Sequence, residues 1–350
     1  MYNIALIGLG RIADLHFRAY QTHPKARVTA ICDCDAELLD ARRRDWEIEK
    51  AYTNYYSILD DPGVDAVEIL APQTVHASIA MDCARAGKAM AIQKPMATSL
   101  VDADGMIRAA EEAGIVYKVT DNYLFYPPIA AAKRLIDAGA IGTPQMLRMK
   151  FVGGTWHGGW EVPEKTWAWR REEARQGRGM QTFDHGHHLW AVAWHLLGPV
   201  ERVHAWVDSV DGLVDCPAVI SWKYEAPQRY GVCDYTQALA MPIPTDYYAC
   251  DEWFEVQGDE GLVLVRRCTG KLLDGPPVLL YNGAGWQSVE VLSDWAAGFA
   301  GAARNFTAAL CGEEAPLLTG AQARDILRFA FALRRSSDER REVALSEMRP

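Results

Sequence analysis

Asp184 and His188 are the side chains of this sequence best suited to exchange a proton with a substrate. They stand four residues apart in the run Asp184-His185-Gly186-His187-His188, a spacing that places two side chains on one face of a helix. Histidine titrates near neutral pH and is the most frequent general base. The spacing therefore predicts that both groups reach one substrate hydroxyl.

Lys94 offers a third reactive group. It follows Gln93 at the end of the short apolar run Ala89–Ile92, and Pro95 comes directly after it. The run predicts a buried strand, and the proline fixes the turn that follows. A lysine there lies at the carboxyl edge of a parallel sheet, where open α/β folds bind ligands. We expect Lys94 to act beside a bound cofactor.

The histidine cluster also raises a metal alternative. Asp184, His185, His187 and His188 together offer enough donors for zinc or iron. Consecutive helix positions point in different directions, so these side chains do not all converge on one ion, and no metal site is predicted. The eight cysteines show no paired CxxC spacing, which favours reduced thiols.

A glycine-rich turn precedes these groups near the start of the chain. The sequence GLGRIA occupies residues 8–13, after an apolar run and before a helical stretch, as a dinucleotide-binding turn requires. Its glycines permit a tight turn and close backbone approach to a pyrophosphate, which the helix N-terminus attracts. The predicted cofactor contacts at this turn are Gly8, Gly10, Arg11 and Ile12.

Asp33 sharpens the cofactor prediction. It stands 25 residues after Gly8, at the end of the second apolar run, where an acidic side chain accepts hydrogen bonds from the adenosine ribose. Its charge would repel a 2′-phosphate, and Cys34 brings no positive charge. NAD is therefore predicted over NADP, with Arg42, Arg43 and Arg44 interpreted as a solvated helix face.

The elements before residue 121 predict a doubly wound parallel sheet. Short apolar runs alternate with helical stretches, which is typical of a Rossmann domain. The predicted strands are Asn3–Ile7, Val28–Cys32, Ala66–Leu70, Ala89–Ile92 and Val116–Val119; the predicted helices are Arg11–Tyr20, Ala36–Arg44, His76–Ala86 and Val101–Ala113. Residues 1–121 are thus predicted to form an N-terminal NAD-binding domain.

Residues 122–350 are predicted to form a second α/β domain. A helix Gln181–Leu197 carries the Asp184 and His188 pair, and residues 200–292 indicate strands of a large, mostly antiparallel open sheet. Two helices close the chain. Asp294 is the expected N-cap of one, and Thr319 with Gln322 fits a capping box at the other.

Composition excludes several function classes. The formal net charge of −10 gives no electrostatic reason to bind nucleic acid or an anionic membrane. No run approaches the roughly 18 apolar residues needed to span a bilayer, and the first residues lack the features of a signal peptide. We expect a cytoplasmic protein.

Taken together, these motifs resemble those of the Gfo/Idh/MocA oxidoreductases, named for glucose-fructose oxidoreductase and inositol dehydrogenase. The resemblance covers nearly the whole chain. It rests on the glycine turn, Ala71-Pro72 followed by His76, Lys94-Pro95, Trp169-Arg170, the Asp184 and His188 spacing, and a final strand Val343–Leu345.

The resemblance implies an NAD(H)-dependent enzyme that oxidises a secondary hydroxyl of a sugar, polyol or sugar derivative by direct hydride transfer. It implies Lys94, Asp184 and His188 as the catalytic trio, and adds Ala71, Pro72, His76 and Gln93 to the cofactor contacts. It also implies homodimers or homotetramers. The chain departs from the family pattern at Gln93, where Glu is usual, at Gln73, where Asn is usual, and at Ala191, often acidic.

An aromatic loop is the expected source of substrate contacts, because flat rings pack on the C–H faces of a sugar. The predicted substrate residues are Trp156, Lys165, Trp169, Arg170, His185 and, just past the first domain, Tyr123. Some of these rings could instead belong to the core.

Two other functions stay open on the sequence. Gln93 and the extra histidines allow a redox-neutral lyase or glycosidase that oxidises its substrate transiently and returns the hydride. A non-catalytic NAD sensor is the other, and the intact Lys94, Asp184 and His188 argue against it.

Overall fold

The computed structural model describes residues 1–161, 164–209, 212 and 214–350, apart from the side chains of residues 156, 165 and 239. The chain forms two compact units. Unit 1 comprises Met1–Phe125, Ala296–Leu327 and Pro350, and unit 2 comprises Tyr126–Trp295 and Arg328–Arg349.

Unit 1 is built on a six-stranded parallel sheet, which confirms the predicted doubly wound fold. Its strands are β1 (Tyr2–Ile7), β2 (Ala26–Cys32), β3 (Lys50–Tyr52), β4 (Ala66–Ile69), β5 (Ala89–Gln93) and β6 (Tyr117–Thr120), in the order β3-β2-β1-β4-β5-β6. Strand β3 was not predicted, because a three-residue edge strand has too few positions to show a pattern.

The helices between consecutive strands of unit 1 form the crossover connections of a parallel sheet. They are α1 (Ala13–Gln21), α2 (Ala36–Asp45), α3 (Tyr56–Leu59), α4 (His76–Arg85) and α5 (Leu100–Ala113). The central strands are buried on both faces, as parallel strands usually are. In β4 all four residues are buried, including the charged Glu68.

Unit 2 contains a nine-stranded mixed sheet, mostly antiparallel as predicted. Its strands are β7 (Pro144–His157), β8 (Val200–Val207), β9 (Ala218–Tyr224), β10 (Tyr230–Pro244), β11 (Cys250–Gly258), β12 (Leu262–Val265), β13 (Val278–Tyr281), β14 (Trp286–Val289) and β15 (Val343–Ala344). The order is β14-β13-β12-β11-β7-β10-β9-β8-β15. Strand β7 pairs antiparallel with β11 and parallel with β10. The helices α6 (Pro127–Asp137), α7 (Glu164–Arg175) and α8 (Gly186–Leu197) complete its early part.

The segment predicted as one helix over Gln181–Leu197 is instead divided. A π-helical turn covers Met180–His185, and α8 begins at Gly186. The Asp184 N–H donates to the Gly179 carbonyl five residues back, at 3.0 Å. Asp184 therefore lies in the wider turn and His188 in the regular helix, so their four-residue spacing is not that of one continuous α-helix. Such π turns are frequent at functional sites.

Asp215 explains why the turn widens. Its buried carboxylate accepts the Gln181 N–H at 2.7 Å and the Thr182 N–H at 2.9 Å, as well as the Thr182 hydroxyl. A Cβ at Gly179 would overlap this carboxylate. The backbone thus follows a distant acid rather than its own helical pattern.

The two closing helices are α9 (Ala297–Leu310) and α10 (Gly320–Glu339). The predicted capping box of α10 is confirmed, since the Thr319 N–H donates to Gln322 Oε1 at 2.8 Å and the Gln322 N–H to Thr319 Oγ1 at 3.4 Å. The predicted N-cap at Asp294 is wrong. Ala296 precedes α9, and Asp294 accepts the Tyr247 hydroxyl at 2.7 Å instead.

Helix α9 packs within unit 1, although residues 122–350 were predicted to form a second domain. A Cβ at Gly298 would lie 2.3 Å from the Asn122 carbonyl oxygen, so the helix needs glycine there. The predicted boundary at residues 121 and 122 stays a prediction about domains. All eight cysteines are free. Within the described ranges, every helix is too short or too polar to cross a membrane.

Candidate active site

The glycine turn after β1 has the shape that a pyrophosphate requires. Gly8 adopts φ +94°, and a Cβ there would lie 2.6 Å from the Ala71 nitrogen, so only glycine fits. A Cβ at Gly10 would meet nothing within 4 Å, which leaves open space beside the backbone. Helix α1 begins there without a side-chain cap, as an anion-binding helix end does.

Asp33 is fixed beside this turn by two backbone donors. Its Oδ2 accepts the Leu9 N–H at 2.8 Å, and its Oδ1 accepts the Asp35 N–H at 2.9 Å. A half-buried carboxylate in this position fits ribose hydroxyls and repels a phosphate. Arg42 is engaged elsewhere, 3.7 Å from Asp14 and 5.0 Å from the Trp46 ring centroid. These residues fit NAD.

His76 holds two turns together rather than presenting its ring at the surface. The buried ring has Nε2 2.8 Å from the Ala71 carbonyl and Nδ1 3.0 Å from the Pro95 carbonyl. Burial lowers the pKa of His76, although the carbonyl contacts oppose this. His76 thus joins the turn after β4 to the turn after β5. The cofactor contacts predicted for His76, Ala71 and Pro72 stay predictions.

Lys94 follows the carboxyl end of β5, as predicted. Its backbone N–H donates to Gln93 Oε1 at 2.8 Å and to the Thr120 carbonyl at 3.3 Å. Gln93 Nε2 lies 3.1 Å from His16 Nε2. Both ends of the Gln93 amide are therefore engaged within unit 1, and its contact with a cofactor stays a prediction.

In unit 2, Asp184 lies beside a cation from the preceding helix. Arg170 Nη2 is 3.6 Å from Asp184 Oδ2, and the guanidinium lies 5.9 Å from the ring centroid of Trp167. Arg170 Nε is buried without a hydrogen-bond acceptor among the described residues. Part of the Arg170 side chain, 24%, is nevertheless exposed beside Asp184.

His185 pairs with an acid that the sequence analysis missed. His185 Nε2 lies 2.8 Å from Glu252 Oε1 on β11, and Glu252 Oε2 accepts the Thr269 N–H at 3.1 Å. Burial alone would raise the pKa of Glu252, but His185 and Thr269 hold it below its usual value. The His185 ring is 5.6 Å from that of His188. The only sequence signal was a pair of acids, Asp251 and Glu252, beside a strand.

A possible metal cluster has a simpler explanation. The ligand atoms of His185, Cys250 and Glu252 lie within 4.8 Å of one another. His185 and Glu252 already form an ion pair, and burial raises the pKa of the Cys250 thiol well above its usual value. Internal hydrogen bonds account for this group, and the expectation of no metal stays a prediction. His187 is buried separately, with Nδ1 2.5 Å from the Phe183 carbonyl.

The remaining predicted substrate residues differ in their surroundings. Tyr123 is fully buried in unit 1, where its N–H donates to Asp121 at 3.0 Å. The indole N–H of Trp169 is buried and has no acceptor among the residues that the structure describes. The side chains of Trp156 and Lys165 lie outside the described part of the chain. The catalytic grouping of Lys94 with Asp184 and His188 stays a prediction.

Two family models match the chain. The model described as oxidoreductase family, NAD-binding Rossmann fold, matches residues 2–121. The model described as GFO/IDH/MocA C-terminal domain matches residues 129–264. Together they cover most of both units.

Two of the similar proteins are sugar dehydrogenases. The chain is 28% identical over 299 residues to D-apiose dehydrogenase of Paraburkholderia graminis, covering 82% of this chain and 76% of that protein. It is 31% identical over 241 residues to levoglucosan dehydrogenase of Pseudarthrobacter phenanthrenivorans, covering 66% of this chain and 57% of that protein. An oxidoreductase from Agrobacterium radiobacter, solved with NAD+, L-tartaric acid and magnesium, shares the fold with a TM-score of 0.85, 22% identity and 99% coverage of both chains.

Proposed function

The chain belongs to the Gfo/Idh/MocA oxidoreductase family, and on this premise we propose that it oxidises a secondary hydroxyl of a sugar, polyol or sugar derivative with NAD. The observation that carries the proposal is the cradle after β1 and β2. There the open space at Gly10, the uncapped start of α1 and the fixed Asp33 carboxylate suit NAD. Relatives named for apiose and levoglucosan favour a carbohydrate substrate.

NAD, when bound, supplies the acceptor for the hydride that leaves the carbinol carbon. In the proposed reaction His188 takes the hydroxyl proton. Lys94 donates a hydrogen bond to the same oxygen and stabilises its developing negative charge. Asp184, paired with Arg170, orients the substrate.

The proposed substrate contacts fall into two groups. The first consists of side chains of unit 2 that lie close to Asp184 in the sequence. The proposal places Trp169 and Arg170 of α7 among the substrate contacts, together with His185, which is oriented by Glu252. The proposal also includes Tyr123, Trp156 and Lys165.

Purified protein mixed with NAD and a panel of aldoses, polyols, anhydrosugars and glycosides tests the function. We expect NADH absorbance and one equivalent of keto or lactone product, with NADP giving weaker activity because Asp33 repels its phosphate. Lys94→Ala and His188→Ala should lower kcat by about 100-fold or more while NAD still binds. Lys271→Ala, at an exposed lysine, is the matched control and should retain full activity.

The same assay separates the other functions. Product without NADH would support the redox-neutral lyase or glycosidase. NAD binding with no product from any sugar would support the non-catalytic NAD sensor. Unchanged rates in Lys94→Ala or His188→Ala would refute the catalytic assignment whichever substrate is turned over.

We also propose that the protein is a cytoplasmic homodimer or homotetramer. Large apolar side chains stand exposed on strands of the unit 2 sheet, among them Trp206, Val219, Tyr230, Tyr281 and Trp286, and such patches often mark subunit contacts. Free cysteines are typical of a reducing compartment. Light scattering of the purified protein and fractionation of the source cells test the two statements; a monomer or a secreted protein would contradict them.

A further inference from the structure

A series of hydrogen bonds in unit 1, buried at Glu68 and His16 and half-buried at Gln93, ends on the backbone of Lys94. Its first member is Gln93, whose Oε1 accepts the Lys94 N–H at 2.8 Å and whose Nε2 lies 3.1 Å from His16 Nε2. The reverse amide orientation would turn the NH2 group toward another N–H donor. The Gln93 NH2 group therefore donates to His16.

This contact fixes which nitrogen of His16 carries its proton. Because Nε2 accepts from Gln93, the ring proton belongs on Nδ1, 2.5 Å from Glu68 Oε2. The other oxygen of Glu68 accepts the Tyr20 hydroxyl at 2.7 Å. The imidazole is thus a neutral Nδ1–H ring that accepts on one side and donates to a carboxylate on the other.

Glu68 supplies the negative charge of this series of hydrogen bonds. Burial raises the pKa of Glu68, whereas the hydrogen bonds from His16 and Tyr20 and the charge of Lys118 lower it. Lys118 is fully buried and donates to Asn305 Oδ1 at 3.0 Å. A buried carboxylate with two donors and a nearby cation is adequately compensated.

A second acid at position 93 is therefore unnecessary for holding the ring. One carboxylate and one amide satisfy both nitrogens of a neutral imidazole, whereas two carboxylates would require a doubly protonated ring. The amide still accepts the Lys94 N–H, as a carboxylate would. The departure at Gln93 thus keeps the contact to Lys94 and changes only the charge around His16.

We propose that Gln93 is a positioning residue for Lys94, and that Glu68, His16 and Gln93 form a relay of hydrogen bonds that fixes the Lys94 peptide through the Nδ1–H tautomer of His16. Glu68 carries the buried negative charge of this relay. Its kinetic consequence rests on the proposed function, whereas the tautomer does not.

The first test is the tautomer, read from two-bond 15N–1H spectra of histidine-labelled protein at pH 7, with His16 assigned by signal loss in His16→Asn. Wild type should show a neutral ring protonated at Nδ1. Gln93→Glu should give a doubly protonated ring, and Glu68→Gln with Gln93→Glu should give the Nε2–H tautomer. An Nε2–H or doubly protonated His16 in wild type would overturn the proposal.

The second test separates positioning from folding. Gln93→Leu removes both contacts and should lower kcat about 10- to 100-fold, the scale of a small misplacement of a reacting group, with the Kd for NAD changed less than about threefold. Gln93→Glu retains both contacts and should keep kcat within about threefold. Gln21→Leu, at an exposed glutamine of α1, is the control.

Each outcome decides a different statement. Wild-type kcat in Gln93→Leu would refute the positioning role. Equal losses in Gln93→Leu and Gln93→Glu would refute the claim that contact rather than charge matters. Absence of dehydrogenase activity in wild type would refute the proposed function, and the spectra would still decide the tautomer.

Discussion

Among the residues that the structure describes, both units contain a histidine paired with a buried glutamate, and the two pairs differ in access to solvent. In unit 1, His16 and Glu68 are 2.5 Å apart with side chains 4% and 3% exposed. In unit 2, His185 and Glu252 are 2.8 Å apart with side chains 18% and 0% exposed. The same two residue types thus form a sealed pair and a partly open pair.

The surroundings of the two pairs indicate different roles. Gln93 covers the second nitrogen of His16, so the sealed ring can hold backbone in place but has no route to a substrate. The His185 ring reaches solvent and lies 5.6 Å from the ring of His188. The open pair suits contact with a substrate hydroxyl.

The neighbouring charges also differ. The charge of the basic residue Lys118 acts on Glu68. A second acid, Asp251, is adjacent to Glu252. The sealed pair is therefore balanced by a buried cation, whereas the open pair lies beside further negative charge. We therefore expect protonation of Lys118 to lower the unfolding free energy and protonation of Asp251 to raise it.

The largest expected effect is from Glu68→Gln. It removes the charged acceptor of the His16 and Tyr20 donors and the negative charge that raises the pKa of Lys118, and removing one partner of a buried ionic group costs about 3–5 kcal/mol. Urea unfolding at pH 7 measures the loss. Glu49→Gln, at an exposed position of the same unit, should change stability by less than about 0.5 kcal/mol; a similar value for Glu68→Gln would mean that the buried carboxylate of Glu68 does not stabilise the fold.

Glu252→Gln should cost less, about 1–3 kcal/mol, because His185 can turn part of its ring toward water after losing its partner. The same urea titration measures it. If Glu252→Gln destabilises as much as Glu68→Gln, partial exposure of the histidine is not what distinguishes the pairs.

Lys118 should make stability rise with pH. Burial lowers the pKa of Lys118 to about 7, partly opposed by Glu68, while an unfolded lysine titrates near about 10.4. Between these values the unfolded chain binds a proton that the folded chain lacks, so the unfolding free energy rises by up to about 1.4 kcal/mol per pH unit. Urea unfolding of wild type and Lys118→Met from pH 7 to 10 should show a flatter profile for the variant; parallel profiles would contradict the lowered pKa.

Asp251 should act in the opposite direction at lower pH. Burial, with the charge of Glu252, raises the pKa of Asp251 to about 6, above the unfolded value of about 3.9. Its contribution to stability is therefore complete below about pH 4 and is lost as pH rises toward 6. The difference in unfolding free energy between wild type and Asp251→Asn should change across this window, and a constant difference would count against it.

The smallest effect concerns chemical labelling of the two rings. Diethyl pyrocarbonate should modify His185 faster than His16, because only the open pair exposes its ring to reagent. Peptide mass spectrometry of briefly treated folded protein measures both sites, and urea-unfolded protein provides the control in which both react. Faster labelling of His16 would reverse the assignment of sealed and open pairs.

Features that depend on near neighbours could be predicted from the sequence. The glycine turn at Gly8, the strands of the parallel sheet and the Thr319 and Gln322 capping box all follow from interactions within a few residues. The antiparallel character of the second sheet followed from its strand and turn pattern. Such local preferences can be predicted from the sequence because the interacting groups are adjacent in the chain.

Features that depend on distant partners were not predictable. Asp215, more than 30 residues away, widens the turn that holds Asp184, and β3 exists only because β2 offers it an edge.

The sequence by itself determined that this protein has an NAD-type turn, Asp33 beside it, and the lysine, aspartate and histidine proposed for catalysis. Only the tertiary structure decided which buried acid meets which histidine. His16 and Glu68 are 52 residues apart, and no local pattern marks a pairing that burial and desolvation impose once the strands and helices have packed.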